Sequence, residues 1–348
     1  MTVVSDSRIS FGSDNHAGVH SAVLDAVARA NVGFAGAYGA DPWTARAREL
    51  FRSHFGEAAE FFPVFNGSGA NVGALSAAVK RFEGVICAAQ SHIDADEGGA
   101  PERVGGMKLL TVPTADQKLT VDAIKTRLAR RGDLHAVQPR VVSITQSTEL
   151  GTVYSLAELR EIGNFLRAEK LVFHMDGARI ANAAATLGCT LRECTTDVGV
   201  DLLSFGGTKN GLLGAEAVVD LQGEFKDDLR FIQKQSLQLA SKMRFISAQF
   251  IALLEGDLWL ASARHANAMA KRLSEGAGKI RGLEIVHPVS ANAVFVRMPR
   301  FRIETVQEKF PFYIWDEANP EMPIARWMTS FQTTEADVDA FLAELTQA

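Results

Sequence analysis

The chain has 348 residues, 47% of them hydrophobic, with 36 basic and 41 acidic side chains and a net charge of −5. That length suits one large and one smaller domain, and without a basic block neither nucleic acid nor an anionic membrane is expected as a main partner, which leaves a small-molecule ligand. Three scattered cysteines, Cys87, Cys189 and Cys194, predict neither a disulfide framework nor a zinc knuckle, and with no signal-peptide-like start and no 18-residue apolar window a reducing, cytoplasmic location is expected.

From about residue 18 to 245, short apolar runs alternate with helical periodicity, the pattern of a mainly parallel sheet covered by helices on both faces. Asp41-Pro42 opens a helix whose apolar face is Trp43, Ala47, Leu50 and Phe51 and which stops at Gly56. The strands in chain order are EFFPVF, GVICA, KLLTV, RVVSIT, LVFHM, DLLSF and AEAVVDL, which suit a single seven-stranded sheet. Between them, Thr120 caps a helix running through VDAIKTRLARR to Gly132, and Ser155 with Glu158 forms a capping box. After a helical region over about 225–278, the segments LEIVHP, NAVFVRM, FYIWD and IARWMTS and a last helix capped near Thr334 predict a small α+β domain. The expected division is 1–250 for the large domain with its N-terminal segment and 251–348 for the small C-terminal domain.

In such sheets ligands sit beyond the carboxyl ends of the strands, so the residues just after each strand carry the chemistry. Four junctions stand out. NGSGAN, Asn66 to Asn71, puts small residues at a helix start, either a seat for phosphate on free N–H groups or a plain tight turn; Val72 at the third glycine position rules out a dinucleotide fingerprint. AQSHIDADEGG gathers His92, Asp94, Asp96 and Glu97, a metal site or a solvated acidic loop. LVFHMDGAR ends a nearly apolar strand on Asp176, with Arg179 three residues on; a plain Asp176–Arg179 ion pair is the simple alternative to a functional acid. LLSFGGTKNG sets Lys209 among small residues, 33 positions after Asp176, which is room for one helical crossover and the next strand. Threonine before Lys209 does not match a P-loop, whereas an amine in a confined apolar site can attack a carbonyl to form a Schiff base.

A phosphate seat, a Schiff-base lysine, an acid for a pyridinium nitrogen and an imidazole to cover a ring suit pyridoxal 5'-phosphate better than any nucleotide. On FGSDN, AYGADPWT, NGSGAN, SHIDADEGG, HMDGARIANA, GGTKNG and IARWMTS the chain resembles the threonine aldolase family over nearly its whole length. The resemblance implies an α/β, fold type I, aspartate-aminotransferase-like large domain with a mainly parallel seven-stranded sheet, plus the small C-terminal α+β domain. It implies retro-aldol Cα–Cβ cleavage of L-threonine, L-allo-threonine and related β-hydroxy-α-amino acids to glycine and an aldehyde. A β-eliminating lyase or aminotransferase on the same fold is the near rival. A cofactor-free nucleotide-binding domain, with Lys209 as a phosphate clamp, is the distant one.

The resemblance also implies roles. Lys209 holds the cofactor, Asp176 keeps the pyridine nitrogen protonated, His92 stacks on the ring and Arg179 approaches the phenolate oxygen. Gly67, Ser68 and Thr208 hold the phosphate, while Lys234 or Arg244 reaches a neighbouring subunit's site. Ser13 and Arg326 grip the substrate carboxylate, and Tyr38 lines the entrance. A homodimer or homotetramer with sites at the subunit boundary is implied, and no metal. The sequence departs from the family pattern in two places. The loop TQSTELG, Thr145 to Gly151, has no histidine where many relatives carry an Asn-Thr-His segment, which leaves His92 and Thr148 to meet the substrate hydroxyl and Glu149 free to point elsewhere. NGSGAN stands in place of a Gly-Thr-Gln-Ala-Asn form, with Ser68 still able to donate to phosphate.

Overall fold

A computed structural model describes residues 8–348. Strands β1 (Glu60–Val64), β2 (Glu83–Ala88), β3 (Lys108–Val112), β4 (Gln138–Thr145), β5 (Val172–Gly177), β6 (Leu202–Phe205) and β7 (Glu216–Asp220) form one sheet in the order β1-β7-β6-β5-β4-β2-β3. Neighbours from β6 through β3 are parallel, and β7 alone runs against both of its neighbours. All residues of β5, β6 and β7 are buried, because helices cover both faces, which is why these strands read as apolar runs and not as alternating ones. Among the polar residues within them is His174 in β5, fully buried and held 2.8 Å from Ser143 Oγ on β4 and 3.1 Å from Ser204 Oγ on β6. Burial pushes its pKa down to about 4, so it serves as a neutral rung across three strands.

The chemical helix starts form as expected. Asp41 accepts from Thr44 N at 2.8 Å ahead of the Pro42–Phe55 helix, and Ser155–Glu158 and Thr334–Asp337 both close capping boxes. The helix after Thr120 departs from expectation. It ends at Lys125, after which Thr126 Oγ1 donates to Ala123 O and the backbone continues in three-residue turns, the local competition that β-branched hydroxyl residues offer a helix. The helical region after 225 divides into Lys226–Gln235, Arg244–Leu254 and Leu258–Ala277. Among the described residues no single helix is long and apolar enough to cross a membrane.

The small sheet consists of β8 (Glu284–Ile285), β9 (Ala293–Arg297), β10 (Tyr313–Asp316) and β11 (Ile324–Met328), antiparallel in the order β10-β11-β9-β8. Its core includes Phe11 from the N-terminal segment, whose ring lies 4.4 Å from that of Phe341 and whose carbonyl accepts from Met328 N at 2.7 Å. This docking brings Asp14 against Arg179 and Asn15 to the cavity at the strand ends. The Leu258–Ala277 helix ties the two cores together, with Trp259 and Ala263 in the larger and Met269, Ala270 and Leu273 in the smaller.

Candidate active site

A cavity of about 240 Å³ opens beyond the carboxyl ends of β5 and β6, lined among others by Gly67, Ser68, His92, Asp176, Thr208 and Lys209. On one side Asn66 caps the Gly67–Ala78 helix, its Oδ1 accepting from Gly69 N at 2.7 Å. The N–H groups of Gly67 and Ser68 have no acceptor within the described protein, and a Cβ built at Gly67 would meet nothing within 4 Å. Those open, N–H-lined surroundings suit an oxyanion such as phosphate.

On the opposite side, Lys209 sits in the turn Thr208–Asn210 that follows β6. The turn is clamped from below. Glu216, buried, accepts from Gly207 N at 2.7 Å and from Thr208 N at 3.3 Å, while Asn210 Nδ2 donates to Trp259 O at 2.9 Å. Desolvation pushes the Glu216 carboxyl up to about 7, against the pull of these N–H groups and of Lys209's charge. The loop after β5 approaches so closely that a Cβ on Gly206 would lie 2.2 Å from Ala178 O, so only glycine lets the lysine and aspartate junctions meet.

Asp176, buried at the end of β5, accepts from Ala178 N at 3.0 Å and from Asn71 Nδ2 at 2.9 Å. Asn71 Nδ2 also donates to Glu97 Oε1 at 2.8 Å, and the same oxygen lies 2.9 Å from His92 Nδ1. The hydrogen bond to Glu97 raises the pKa of His92, with burial opposing. His92, Glu97 and Asp176 offer ligand atoms within 4.8 Å of one another, spacing a cation could use. The Asn71 amide, however, aims its N–H groups at both carboxylates, where a cation would need to sit. SHIDADEGG is thus split between site and solvent: His92 and Glu97 turn inward, Asp94 and Asp96 are exposed.

Arg179 does not pair with Asp176, contrary to the simple sequence alternative. Its Nε and Nη2 grip Asp14 at 2.7 and 3.1 Å, because docking of the N-terminal segment brings in a carboxylate 165 residues away. Burial alone would raise the Asp14 carboxyl; the Arg179 charge overrides it and holds the group below its ordinary value. Ser13, beside it, accepts from Asn15 N at 3.1 Å. Arg326 on β11 donates weakly to Gly12 O at 3.4 Å and lies over the rings of Trp315 and Tyr313, at 5.0 and 5.8 Å. Its Nε is buried with no hydrogen-bond partner among the described residues, and burial together with the nearby Arg179 charge lowers its pKa. An unpartnered guanidinium N–H beside a second arginine is a site for an anionic oxygen.

Tyr38, Lys234 and Arg244 lie elsewhere. Lys234 Nζ stands 5.3 Å from the exposed Tyr38 ring, and Arg244 donates to Val32 O and Gly33 O, so none of the three lines this chain's own cavity. Sequence reasoning missed Asp14, Asn71 and Glu216 as partners of the site. Asn71 and Asp14 stood within the quoted motifs NGSGAN and FGSDN; Glu216 carries no local signal, since it acquires its neighbours through tertiary packing.

The sheet, the lysine junction, the buried acid at the end of β5 and the N–H-lined seat together define the class, a fold type I pyridoxal phosphate enzyme. The unpartnered N–H groups and the donor set of the cavity fit that cofactor. Aspartate aminotransferase from Rhizobium meliloti shares the fold, with a TM-score of 0.70 at 16% identity, covering 98% of this chain and 91% of that one. Residues 10–300 match the beta-eliminating lyase family. A low specificity L-threonine aldolase from Pseudomonas sp. (strain NCIMB 10558) is 42% identical over 344 residues, 98% of each chain. The structure of Leishmania major threonine aldolase superposes with a TM-score of 0.93 at 30% identity, covering 97% of this chain and 99% of that one. The chain belongs to the beta-eliminating lyase family, among its low-specificity L-threonine aldolases.

Proposed function

We propose that this enzyme cleaves L-threonine, L-allo-threonine and related β-hydroxy-α-amino acids to glycine and an aldehyde. The observation that carries the reading is the convergence of Lys209, Asp176 and the Gly67–Ser68 N–H groups on one cavity. Pyridoxal phosphate, when bound, supplies the sink for the electron pair left at Cα when the Cα–Cβ bond breaks. In this reading Lys209 holds the cofactor's aldehyde carbon, Asp176 faces the ring nitrogen, His92 covers the ring, and Gly67, Ser68 and Thr208 hold the phosphate. Asp14 holds Arg179 through Nε and Nη2, which leaves Nη1, 4.0 Å from Glu149 Oε2, to approach the ligand, and Ser13 with Arg326 orients the substrate carboxylate. Glycine and acetaldehyde from L-threonine is the product pattern that separates this reading from elimination or amino-group transfer.

Arg326→Ala is expected to weaken substrate binding roughly ten- to hundredfold, since a charged hydrogen bond contributes about 1.5–3 kcal/mol. The cofactor's absorbance should be intact, because Arg326 does not line the phosphate and ring cavity. Titration with glycine checks this, and loss of cofactor in place of substrate affinity would place the residue wrongly.

Stereochemistry gives a second check. The carboxylate and amino anchors fix Cα, so D-isomers should be inert. A single contact reads the β-hydroxyl, and the kcat/KM values for L-threonine and L-allo-threonine should lie within about two orders of magnitude. A preference beyond about a thousandfold would require further contacts at Cβ.

The same reading extends to a homodimer or homotetramer. Support comes from the exposed Phe34, Tyr38 and Leu237 on a surface that also carries Lys234 and Arg244, a face suited to reaching a neighbouring copy's cavity. Sedimentation analysis tests it. The division at 1–250 and 251–348 and a cytoplasmic location are proposed on the same footing.

A further inference from the structure

The carboxylates buried around the site differ in what they have left to offer. Asp14 accepts from Arg179 and Asn292, Asp176 from Ala178 N and Asn71, and Glu216 from Gly207 N and Thr208 N. Glu97 has a free Oε2, but its side chain is fully enclosed behind His92. Glu149 is different. Its side chain is 7% exposed, it has no hydrogen-bond donor among the described residues, and its nearest charge is Arg179 Nη1 at 4.0 Å from Oε2. A mostly buried carboxylate without a donor keeps its accepting capacity for a ligand or a water that reaches it.

The loop that carries it is held firmly. Gln146 bonds the backbone of Tyr154 through both ends of its amide, at 3.0 Å each, and Leu150 N donates to Gln117 Oε1 at 3.2 Å. Leu150 packs with Ala293, Phe295 and Met328 of the small sheet, which places the loop against the strand that carries Arg326. Thr148, the other polar candidate in this loop, has its hydroxyl 2.7 Å from Thr152 Oγ1. Glu149 therefore lies beside Arg179, and its charge acts on Arg179, Arg326 and His92 alike. Asp14 already neutralises Arg179, so Glu149 is not needed to pair it.

Resting on the aldolase reading above, we propose that Glu149 is a catalytic residue, the acceptor of the substrate's β-hydroxyl proton. In that step the O–H bond breaks and its proton passes to the Glu149 carboxylate. The bonding pair left on oxygen forms the aldehyde C=O, the Cα–Cβ bond breaks, and its electron pair stays with the glycine carbon, to be taken up by the cofactor. The carboxyl then gives the proton up to solvent as the aldehyde leaves, and the glycine carbon takes one proton from solvent, so that glycine and the aldehyde together hold every atom of the substrate and Glu149 is a carboxylate again. His92 is the competing acceptor; its Nδ1 is taken up by Glu97 Oε1 at 2.9 Å, and in the aldolase reading its ring covers the cofactor.

The test uses the holoenzyme of Glu149→Gln, an isosteric change that removes the base. Cleavage of L-threonine is expected to fall about a hundredfold or more in kcat/KM, the lower end of what a general base contributes. Exchange of glycine's α-proton with deuterium, which involves no β-hydroxyl, should stay within about threefold, as should the glycine dissociation constant read from cofactor absorbance. The apoprotein should melt within about 3 °C of wild type. Cleavage retained within about threefold would overturn the assignment, and so would a parallel loss of cleavage and exchange or a large drop in melting temperature, each of which marks Glu149 as structural support. A wild-type enzyme that exchanges glycine's proton yet cleaves no β-hydroxy amino acid would overturn the aldolase reading itself, and this assignment with it.

Discussion

Lys209→Ala is expected to fold, to lose the yellow absorbance of lysine-bound cofactor and to show no turnover above background. Folding should survive because the turn is held by other groups. Gly207 N and Thr208 N donate to Glu216, Asn210 Nδ2 donates to Trp259 O, and the lysine side chain makes no hydrogen bond among the described residues. The loss of function should be complete because no other lysine lines the cavity. Removing the charge also has an electrostatic consequence. Lys209 is one of the cations that lower the carboxyl pKa values of Asp14 and Glu216, so both should bind protons more readily in the variant, Glu216 from a value already near 7. The checks are the visible spectrum, peptide mapping after borohydride reduction, and thermal melting. Retained turnover with a reducible label elsewhere in the chain would remove Lys209 from its place.

Asp176→Asn is expected to lower kcat by about 10²–10³-fold, equivalent to about 3–4 kcal/mol, the scale on which one preorganised charge or hydrogen bond acts in a dry site. The carboxylate now accepts from Ala178 N and Asn71 Nδ2. An asparagine oxygen can still accept one of these, so the strand end should keep its shape. It cannot serve as the anionic partner of a protonated ring nitrogen while doing so. Cofactor should therefore remain bound through Lys209 and the phosphate seat, and the spectrum would shift while turnover collapses. A kcat within about threefold of wild type would show that the buried acid serves packing alone.

Much of this protein was legible in the sequence because its information is local. Helix caps at Asp41, Ser155 and Thr334 act within four residues, and each formed as expected. The strands of the large sheet are buried on both faces and so announce themselves as short apolar runs between turn residues. The cavity residues Gly67, Ser68, His92, Asp176, Thr208 and Lys209 all stand at or just after the ends of strands, and a parallel sheet delivers strand ends to one edge, so reading the junctions was enough to gather them.

Tertiary structure decided what depends on segments far apart in the chain. Arg179 pairs with Asp14 and not with Asp176, the simple alternative the sequence offered, because Phe11 packs into the core of the small sheet and carries the N-terminal segment across. Glu216 became the clamp beneath the lysine only because β7 runs antiparallel beside β6 and returns its first residue to the same edge. Glu149 was left free by the sequence to point elsewhere, yet the fold buries it with an oxygen 4.0 Å from Arg179. A side chain's direction and its remaining hydrogen-bonding capacity are set by the groups packed around it, and those partners come from distant parts of the chain that no local pattern records.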